Sequence, residues 1–258
     1  MIGAIAGDII GSVYEGHNIK STDFPLFDPR CHFTDDTVLT LAIADAIMTG
    51  EDYGVKLREW YELYPERGYG SGFRKWAASG RETPRHSFGN GSAMRVSPVG
   101  FAFDTLKRVR EEARKSAEPS HNHPEGIKGA QAVAASVFLA RKGFSKPYIK
   151  NYIESTFSYD LNRTIDAIRP VYRFDASCQG SVPEAIIAFL ESTDIEGAIR
   201  LAISLGGDSD TIACIAGGIA EAYYADVPDY ISVPVLRLLD DRQRSILSTF
   251  KGMYPSTK

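Results

Sequence analysis

Two stretches of this sequence place aspartates directly before a run of residues that would be apolar on most faces of a helix. One stretch is TDDT at residues 34–37, followed by the apolar run 38–48, and the other is DSDT at residues 208–211, followed by the run 212–223. A helix with no polar face is stable only when neighbouring elements cover it on every side. The sequence therefore predicts two central, buried helices that each begin with acidic residues.

The rest of the chain carries helix-period apolar patterns, whereas the alternating pattern of strands is scarce. The chain has 258 residues, enough for one sizeable core, so we predict an all-α fold in a single domain, residues 1–258. Further helices are predicted at residues 2–13, 55–64, 92–101, 105–117, 125–142, 146–157, 161–169, 182–191, 195–205 and 233–250. Turn-rich segments are predicted at residues 23–33, 66–73, 79–92, 118–126 and 177–184.

Glycines recur along the first predicted helix, at Gly3, Gly7 and Gly11. Residues that are four apart lie on one face of a helix, so these glycines form a stripe without side chains. In a chain whose apolar runs are too short to span a membrane, such a stripe indicates that another helix backbone, or a ligand, approaches very closely.

Helix capping alone can explain one acidic stretch. Thr34 or Ser209 can act as an N-cap, and acidic side chains in the first turn interact favourably with the helix dipole. Capping is the favoured interpretation as long as each stretch is considered separately. Two matching stretches make capping alone a weaker explanation, because the N-termini of two central helices can meet and bring four carboxylates together.

Carboxylates a few ångström apart repel one another, and each helix dipole offers only about half a unit of compensating charge. Either the pKa values of some aspartates rise or cations bind among them. The available ligand atoms are carboxylate and hydroxyl oxygens, which suit Mg²⁺, Mn²⁺ or Ca²⁺ better than Zn²⁺. The sequence therefore predicts a dinuclear site for divalent cations that includes Asp35, Asp36, Asp208 and Asp210.

Composition narrows the remaining possibilities. The net charge of −4 gives no bulk electrostatic basis for binding nucleic acid. Three widely spaced cysteines, with no C-x-x-C pair, favour a reducing, cytoplasmic setting. The N-terminal segment carries Asp8 and has no basic residue before Lys20, so it does not fit a secretory signal. We expect a cytoplasmic monomer with no membrane partner.

A glycine-containing segment is a candidate for phosphate binding. Residues 86–95 read HSFGNGSAMR, with Ser87, Asn90 and Ser92 among the glycines and an apolar helix predicted next. Free backbone N–H groups at the start of a helix bind phosphate well. The alternative is an ordinary Gly–Asn turn, which spacing alone slightly favours.

Two histidines and one glutamate complete the set of candidates. His121 and His123 lie in the segment SHNH and can be caps, ligands or surface residues, of which the surface interpretation is favoured. Glu15 follows the glycine stripe in the loop where the first predicted helix ends, and a single loop glutamate is usually solvated.

In their order along the chain, these motifs resemble those of the ADP-ribosylglycohydrolases. The resemblance covers GAIAGDIIGSVYEG at residues 3–16, FTDDTVLTLAIADAI at 33–47, GNGSAMRVSPVG at 89–100, SHNHPEGIKGAQ at 120–131 and GGDSDTIACIAGGIAEAYY at 206–224. It implies a compact orthogonal helix bundle that holds two Mg²⁺ or Mn²⁺ ions. It also implies hydrolysis of the bond between C1″ of ADP-ribose and an acceptor on a protein or a small molecule.

The resemblance further implies roles for individual residues. Glu15 matches a glutamate that covers the metal site in some relatives, and it is a candidate catalytic residue together with Asp35 and Asp36. His121 falls near the distal ribose, and Ser92 stands where relatives often have Gly or Ala. The implied metal ligands are Thr34, Asp35, Asp36, Asp208, Asp210 and Thr211, and the implied substrate-binding residues are Ser87, Phe88, Gly89, Asn90, Gly91, Ser92 and His121.

Two alternative functions stay open at this point. A magnesium-dependent nucleotide phosphoesterase would use the same cations but cleave a P–O bond. A non-catalytic relative would bind ADP-ribose or serve a structural role, and loss of the aspartates of the metal site would favour it. All four aspartates are present in this chain. The acceptor linkage is left open.

Overall fold

The computed structural model describes residues 1–80 and 84–255, so residues 81–83 of the turn-rich segment 79–92 lie outside the described part. Within it the regular elements are helices, apart from an isolated bridge between Gly89 and Ser177, so the all-α prediction is confirmed. No helix in these ranges combines the length and apolarity that crossing a membrane requires. The α-helices are α1 (Ile2–Gly11), α2 (Asp35–Thr49), α3 (Tyr53–Leu63), α4 (Ser71–Ala78), α5 (Ser97–Ala102), α6 (Leu106–Ala117), α7 (Pro124–Arg141), α8 (Lys146–Phe157), α9 (Ile165–Ile168), α10 (Cys178–Glu191), α11 (Ile195–Ser204), α12 (Ser209–Tyr224), α13 (Asp229–Leu238) and α14 (Asp241–Met253).

Helix α12 lies at the centre of the bundle, where α1, α7, α10 and α11 pack around it. All of its residues from 209 to 220 are buried. Helix α1 approaches α12 along the glycine stripe, since a Cβ atom on Gly7 would overlap the backbone of Ala213 and one on Gly11 would overlap that of Asp210. The close helix backbone that the stripe predicts is therefore α12.

Helix α2 is the second central helix, and its residues 36–46 are all buried. It begins after Thr34, whose side chain accepts a hydrogen bond from the backbone N–H of Asp36, and it ends at Gly50, whose φ of 73° favours glycine. Helices α1, α3, α5 and α14 pack against it. Both acidic N-termini therefore lie inside the bundle, as the sequence predicts.

The helix predicted at residues 233–250 is in fact two helices, α13 and α14. The side chain of Asp240 accepts a hydrogen bond from the N–H of Gln243, and the side chain of Gln243 accepts one from the N–H of Asp240, which forms a capping box. Similarly, Thr164 caps α9 and shortens the helix predicted at residues 161–169. Bonds between side chains and backbone override the apolar period at both places.

Three further boundaries differ from prediction. The helix predicted at residues 92–101 is interrupted, because a short 3₁₀ turn at Asn90–Ser92 precedes the six-residue helix α5. Helix α4 is absent from the predicted helices, because it begins inside the predicted turn-rich segment 66–73, where glycines conceal the helical period. Helix α10 likewise begins inside the predicted turn-rich segment 177–184, where Ser177 acts as its N-cap.

Candidate active site

The N-terminus of α2 is held by an aspartate of α1 that lies outside the two acidic motifs. Asp8 is fully buried, and its Oδ1 accepts a hydrogen bond from Oγ1 of Thr34 at 2.6 Å. Its Oδ2 accepts bonds from the backbone N–H groups of Thr34 and Thr37, each at 3.0 Å, and from the hydroxyl of Thr37. The sequence contains a signal for this role, because Asp8 is the only charged residue in the glycine-striped helix.

The N-terminus of α12 lies beside that of α2, as predicted, and Oγ1 of Thr211 donates to Oδ2 of Asp36 at 3.3 Å. Asp208 is the N-cap residue of α12, but its side chain makes no capping bond. Its Oδ2 instead accepts a hydrogen bond from the amide of Asn90 at 2.7 Å. Ser209 is the first helical residue, so the suggestion that it is the N-cap is wrong.

Two groups of carboxylates meet at this junction. Side-chain oxygens of Asp8, Asp36 and Asp210 lie within 4.8 Å of one another, and the same holds for Glu15, Asp208 and Asp210. Oδ1 of Asp36 is buried and has no hydrogen-bond partner among the described residues. A buried carboxylate oxygen without a partner, surrounded by other carboxylates, fits a divalent cation with oxygen ligands.

The pKa values of the acids at the junction are raised, as burial and neighbouring carboxylates require. Burial is the main reason why the pKa values of Asp36 and Asp210 lie well above the usual range, and neighbouring carboxylates raise them further. Burial also raises the pKa of Asp8, although the hydrogen bonds from Thr34 and Thr37 oppose this shift. Without a cation, the junction therefore retains protons that exposed aspartates would release.

Asp35 is placed differently from its neighbour Asp36. It is only partly buried, and it lies outside both carboxylate groups. Its backbone N–H donates to the carbonyl of Arg67 at 2.6 Å. Burial, followed by the charges of Asp8 and Asp208, raises the pKa of its carboxyl well above the usual range. Asp35 therefore stands beside the junction but not at its centre.

Glu15 lies in the turn after α1 and belongs to the second carboxylate group. Its side chain is exposed, yet partial desolvation and the charges of Asp208 and Asp8 raise its pKa. Asn18, which the sequence motifs do not single out, fastens this turn. Its Nδ2 donates hydrogen bonds to the carbonyls of Glu15 at 2.9 Å and of Gly207 at 3.1 Å. Its Oδ1 accepts a hydrogen bond from the backbone N–H of Gly207 at 2.7 Å. Glu15 is thereby held next to the start of α12.

A cavity of about 430 Å³ opens onto the carboxylates, a size that is common for small-molecule sites. Helix N-termini supply its acidic part, and the loop before α5 supplies another part of its wall. The predicted residues that line it are Glu15, Thr34, Asp35, Asp36, Ser87, Gly89, Asn90, Gly91, His121, Asp208, Asp210 and Thr211.

Two residues implied to bind substrate lie outside this cavity wall. Phe88 is exposed, and its ring stands edge-on to that of His123 with the centroids 5.6 Å apart. Ser92 is fully buried beneath the loop, where its Oγ donates to the carbonyl of Gly126 at 2.8 Å. Ser92 therefore supports the loop from inside the protein, because its hydroxyl is already bonded there.

The two histidines of the segment SHNH have different environments. His121 is buried and lines the cavity, and its Nδ1 lies 2.8 Å from Oγ of Ser120. The surface interpretation is therefore wrong for His121. His123 is the N-cap of α7, and its Nδ1 accepts a hydrogen bond from the N–H of Glu125 at 3.1 Å. Of the three possibilities for His123, capping is the one observed.

The fold and the junction define a class of helical protein with a carboxylate-rich centre. A solved structure described as an ADP-ribosylglycohydrolase-related protein complex has the same fold, with a TM-score of 0.73 and 23% sequence identity over 98% of this chain and 97% of that chain. This likeness confirms the prediction of a compact helix bundle of the ADP-ribosylglycohydrolase type.

The sequence profile of the ADP-ribosylglycohydrolases matches residues 1–245, and the chain belongs to this family. It is 28% identical over 306 residues to ADP-ribosylhydrolase ARH3 of Mus musculus, across 87% of this chain and 82% of that protein. It is 29% identical over 300 residues to ADP-ribosylhydrolase ARH3 of Danio rerio, across 87% of this chain and 81% of that protein. The predicted hydrolase activity is thus supported at the level of the family.

Proposed function

We propose that the protein is a metal-dependent hydrolase that releases ADP-ribose by cleaving the bond between C1″ and an acceptor atom on a protein side chain or a small molecule. The observation that carries this proposal is the position of Asp210, which belongs to both carboxylate groups and faces the cavity. Family membership supports ADP-ribose as the group that is released.

The junction suits two divalent cations, Mg²⁺ or Mn²⁺. One would be held by Asp8, Asp36 and Asp210, and the second by Asp208 and Asp210 with Glu15 in reach. When bound, the cations would offset the charge of the aspartates and supply a positive field that orients hydroxyl groups of the distal ribose. The other proposed ligands, Thr34, Asp35 and Thr211, flank these carboxylates.

The loop before α5 is proposed to hold the diphosphate. Gly91 keeps the loop close to His121, because a Cβ atom on Gly91 would lie only 3.0 Å from Nε2 of that histidine. Ser87 tightens the turn by accepting the N–H of Gly89 at 3.1 Å. Asn90 joins the loop to Asp208, so the diphosphate and the reacting sugar would be held by one connected set of residues.

Glu15 is proposed as the general base. Partial desolvation, the largest cause of its raised pKa, brings the carboxylate closer to the range in which a base accepts a proton efficiently at neutral pH. It would take a proton from the water that attacks C1″ while positive charge develops on the ribose ring. Its position near Asp208 and Asp210 also allows a role as a metal ligand, so an experiment must separate the two roles.

The Glu15→Gln variant tests this role, because it keeps the size of the side chain and removes its basicity. We expect kcat on an ADP-ribosylated substrate to fall about 100- to 10,000-fold, whereas calorimetric titrations with Mn²⁺ and with ADP-ribose stay close to wild type. The matched control is Glu66→Gln, since Glu66 also lines the cavity but belongs to neither carboxylate group. This control should retain its turnover.

Each other outcome has a definite meaning. If the Glu15→Gln variant turns over at the wild-type rate, the general base must be one of the aspartates. If the variant binds Mn²⁺ more weakly, Glu15 is a metal ligand.

Product analysis with arginine-linked, serine-linked and small O-linked ADP-ribose identifies the acceptor class and the cleaved bond. Free ADP-ribose supports the proposal, whereas AMP would identify a nucleotide phosphoesterase and overturn it.

A further inference from the structure

A fully buried arginine, Arg95, borders the cavity at the end of the segment 86–95, and no role has been given to it so far. Nη2 of Arg95 donates to the carbonyl of Ser116 at 2.9 Å and to Oγ of Ser120 at 2.8 Å. Its Nε and Nη1 atoms are buried and have no hydrogen-bond partner in the described ranges, while its guanidinium carbon lies 6.0 Å from the ring centroid of Phe73. Burying an arginine with unsatisfied donors costs free energy, and a cost of this kind is typical of functional sites.

The hydroxyl of Ser120 connects Arg95 to His121. A guanidinium can only donate hydrogen bonds, so Oγ of Ser120 must act as the acceptor towards Arg95. The single hydrogen of that hydroxyl is then available for Nδ1 of His121, which lies 2.8 Å away. When Nδ1 accepts this hydrogen, the proton of a neutral imidazole resides on Nε2.

The opposite nitrogen of His121 faces the ligand cavity. Nε2 lies 3.0 Å from the position of a Cβ atom on Gly91 and 3.6 Å from that on Gly89. It has no hydrogen-bond partner within the described part of the chain. Burial, followed by the charges of Arg95 and Arg85, lowers the pKa of His121 well below the usual range, so the ring is neutral at neutral pH.

We propose that Arg95 is a positioning residue that acts through Ser120 to hold His121 in the Nε2–H tautomer, so that His121 donates a hydrogen bond to a ligand oxygen beside Gly91. The identity of this ligand as ADP-ribose rests on the proposed function, but the tautomer does not. The opposite tautomer would make Nε2 an acceptor, and the cavity would then select a hydroxyl donor at the same place.

The tautomer can be measured without substrate or turnover. Long-range ¹H–¹⁵N correlation spectra of the ligand-free protein distinguish the two ring nitrogens of each of its five histidines, and the His121→Asn variant assigns the relevant signals. We expect a neutral ring with the proton on Nε2. A proton on Nδ1, or a doubly protonated ring at pH 7, would overturn the proposal whether or not the protein is a hydrolase.

Two buried serines provide a matched pair of variants. Ser120→Ala removes the link, and we expect His121 to lose its single tautomer and the Kd for ADP-ribose to rise about two- to tenfold, the effect of one hydrogen bond. Ser116→Ala removes a hydroxyl whose bond, among the residues that the structure describes, goes to the carbonyl of Ala113, and it leaves the carbonyl that Arg95 uses. This control should keep the tautomer and the affinity.

Thermal unfolding of both variants verifies that they fold. A Ser120→Ala variant that keeps the wild-type tautomer would contradict the role of Arg95, because the connection would then be unnecessary. If instead the tautomer behaves as expected and ADP-ribose does not bind even to the wild type, the proposed function fails while the positioning chain stands. The two failures are therefore distinguishable.

Discussion

The N-termini of α2 and α12 have nearly the same sequence but are stabilised in different ways. At α2, Thr34 caps the helix with its own side chain and is also bonded to Asp8. At α12, the N-cap residue Asp208 makes no capping bond, and its carboxylate accepts the amide of Asn90 from a loop 118 residues away in sequence. One end is stabilised by its own cap and by Asp8 of α1, and the other by the loop before α5.

This difference indicates which end has the structural role. The α2 end satisfies its backbone donors with Oγ1 of Thr34 and with the carboxylate of Asp8 on α1, so its capping does not depend on the loop before α5. At the α12 end Asp208 makes no capping bond, and Asp210, whose Oδ1 accepts the N–H of Thr211 at 3.0 Å, joins both carboxylate groups. We therefore expect substitutions at α12 to affect ion binding most, and substitutions at α2 to affect stability as well.

The largest expected effect is that of Asp210→Asn compared with Asp36→Asn. Both should reduce hydrolysis about 1,000-fold or more, because each weakens the field that the proposed reaction needs. Calorimetry with Mn²⁺ should separate them: Asp36→Asn leaves the group of Glu15, Asp208 and Asp210 complete and should retain one binding event, whereas Asp210→Asn should lose both.

A matched control for these variants is Asp52→Asn, which alters an aspartate that caps α3 outside the cavity. It should keep both binding events and its turnover. Two normal binding events in the Asp210→Asn variant would show that the two groups do not share Asp210, and full activity in metal-free buffer would remove the cations from the mechanism.

The second prediction concerns the close contact between the glycine stripe of α1 and the backbone of α12. Gly7→Ala should destabilise the protein by about 3 kcal/mol or more, because its Cβ would overlap the backbone of Ala213, which cannot rotate away. The control is Gly252→Ala, a helical glycine with nothing within 4 Å, which should be neutral or slightly stabilising. Urea unfolding of both variants gives the comparison, and equal stability would contradict the close packing.

The sequence was sufficient for the parts of this structure that are periodic or repeated. The apolar runs after residues 37 and 211 identify the central helices, and the glycine stripe predicts a close neighbour. Asp8 and Asn18 are absent from the predicted site because their roles depend on contacts with residues far away in sequence, at α2 and at Gly207. The single charge in the glycine-striped helix marks Asp8 as unusual, but local patterns do not show which residues Asp8 and Asn18 contact.

The same limit explains the errors in the predictions for Ser92 and His121. Ser92 is polar and lies among glycines, so it resembles a phosphate-binding residue. In the structure, however, its hydroxyl donates a hydrogen bond to the carbonyl of Gly126 in α7. His121 resembles a surface residue in a polar segment, yet the fold buries it. In both cases the side chain is compatible with two environments, and tertiary packing decides between them.

The third prediction is a pH dependence of the metal-free protein. The pKa values of Asp36 and Asp210 are raised in the folded state, so the folded protein holds protons that the unfolded chain releases above about pH 4. This contribution to stability is present below pH 4 and is lost as pH rises towards the folded pKa values. Each unit by which a pKa is raised corresponds to about 1.4 kcal/mol.

We therefore expect added Mg²⁺ to raise Tm more at pH 8 than at pH 5, because cations replace protons in the junction. Thermal unfolding in chelator and in excess Mg²⁺, at matched ionic strength, measures the difference. Asp210→Asn serves as the control and should reduce the pH dependence of this difference. A Mg²⁺ effect that is the same at both pH values would show that the carboxylates are not the groups that bind it.

The smallest expected effect separates the two helix ends directly. Thr34→Ala removes the cap of α2 and the donor to Asp8, and should cost about 1–2 kcal/mol of unfolding free energy. Ser209→Ala should cost only about 0.5 kcal/mol, because its hydroxyl makes one long bond of 3.3 Å to the carbonyl of Gly207 and caps nothing. Urea unfolding in chelator compares the two without any contribution from bound cations. Equal losses would mean that both ends are capped alike, and the distinction between an α2 held by its own cap and an α12 held by the loop before α5 would have to be abandoned.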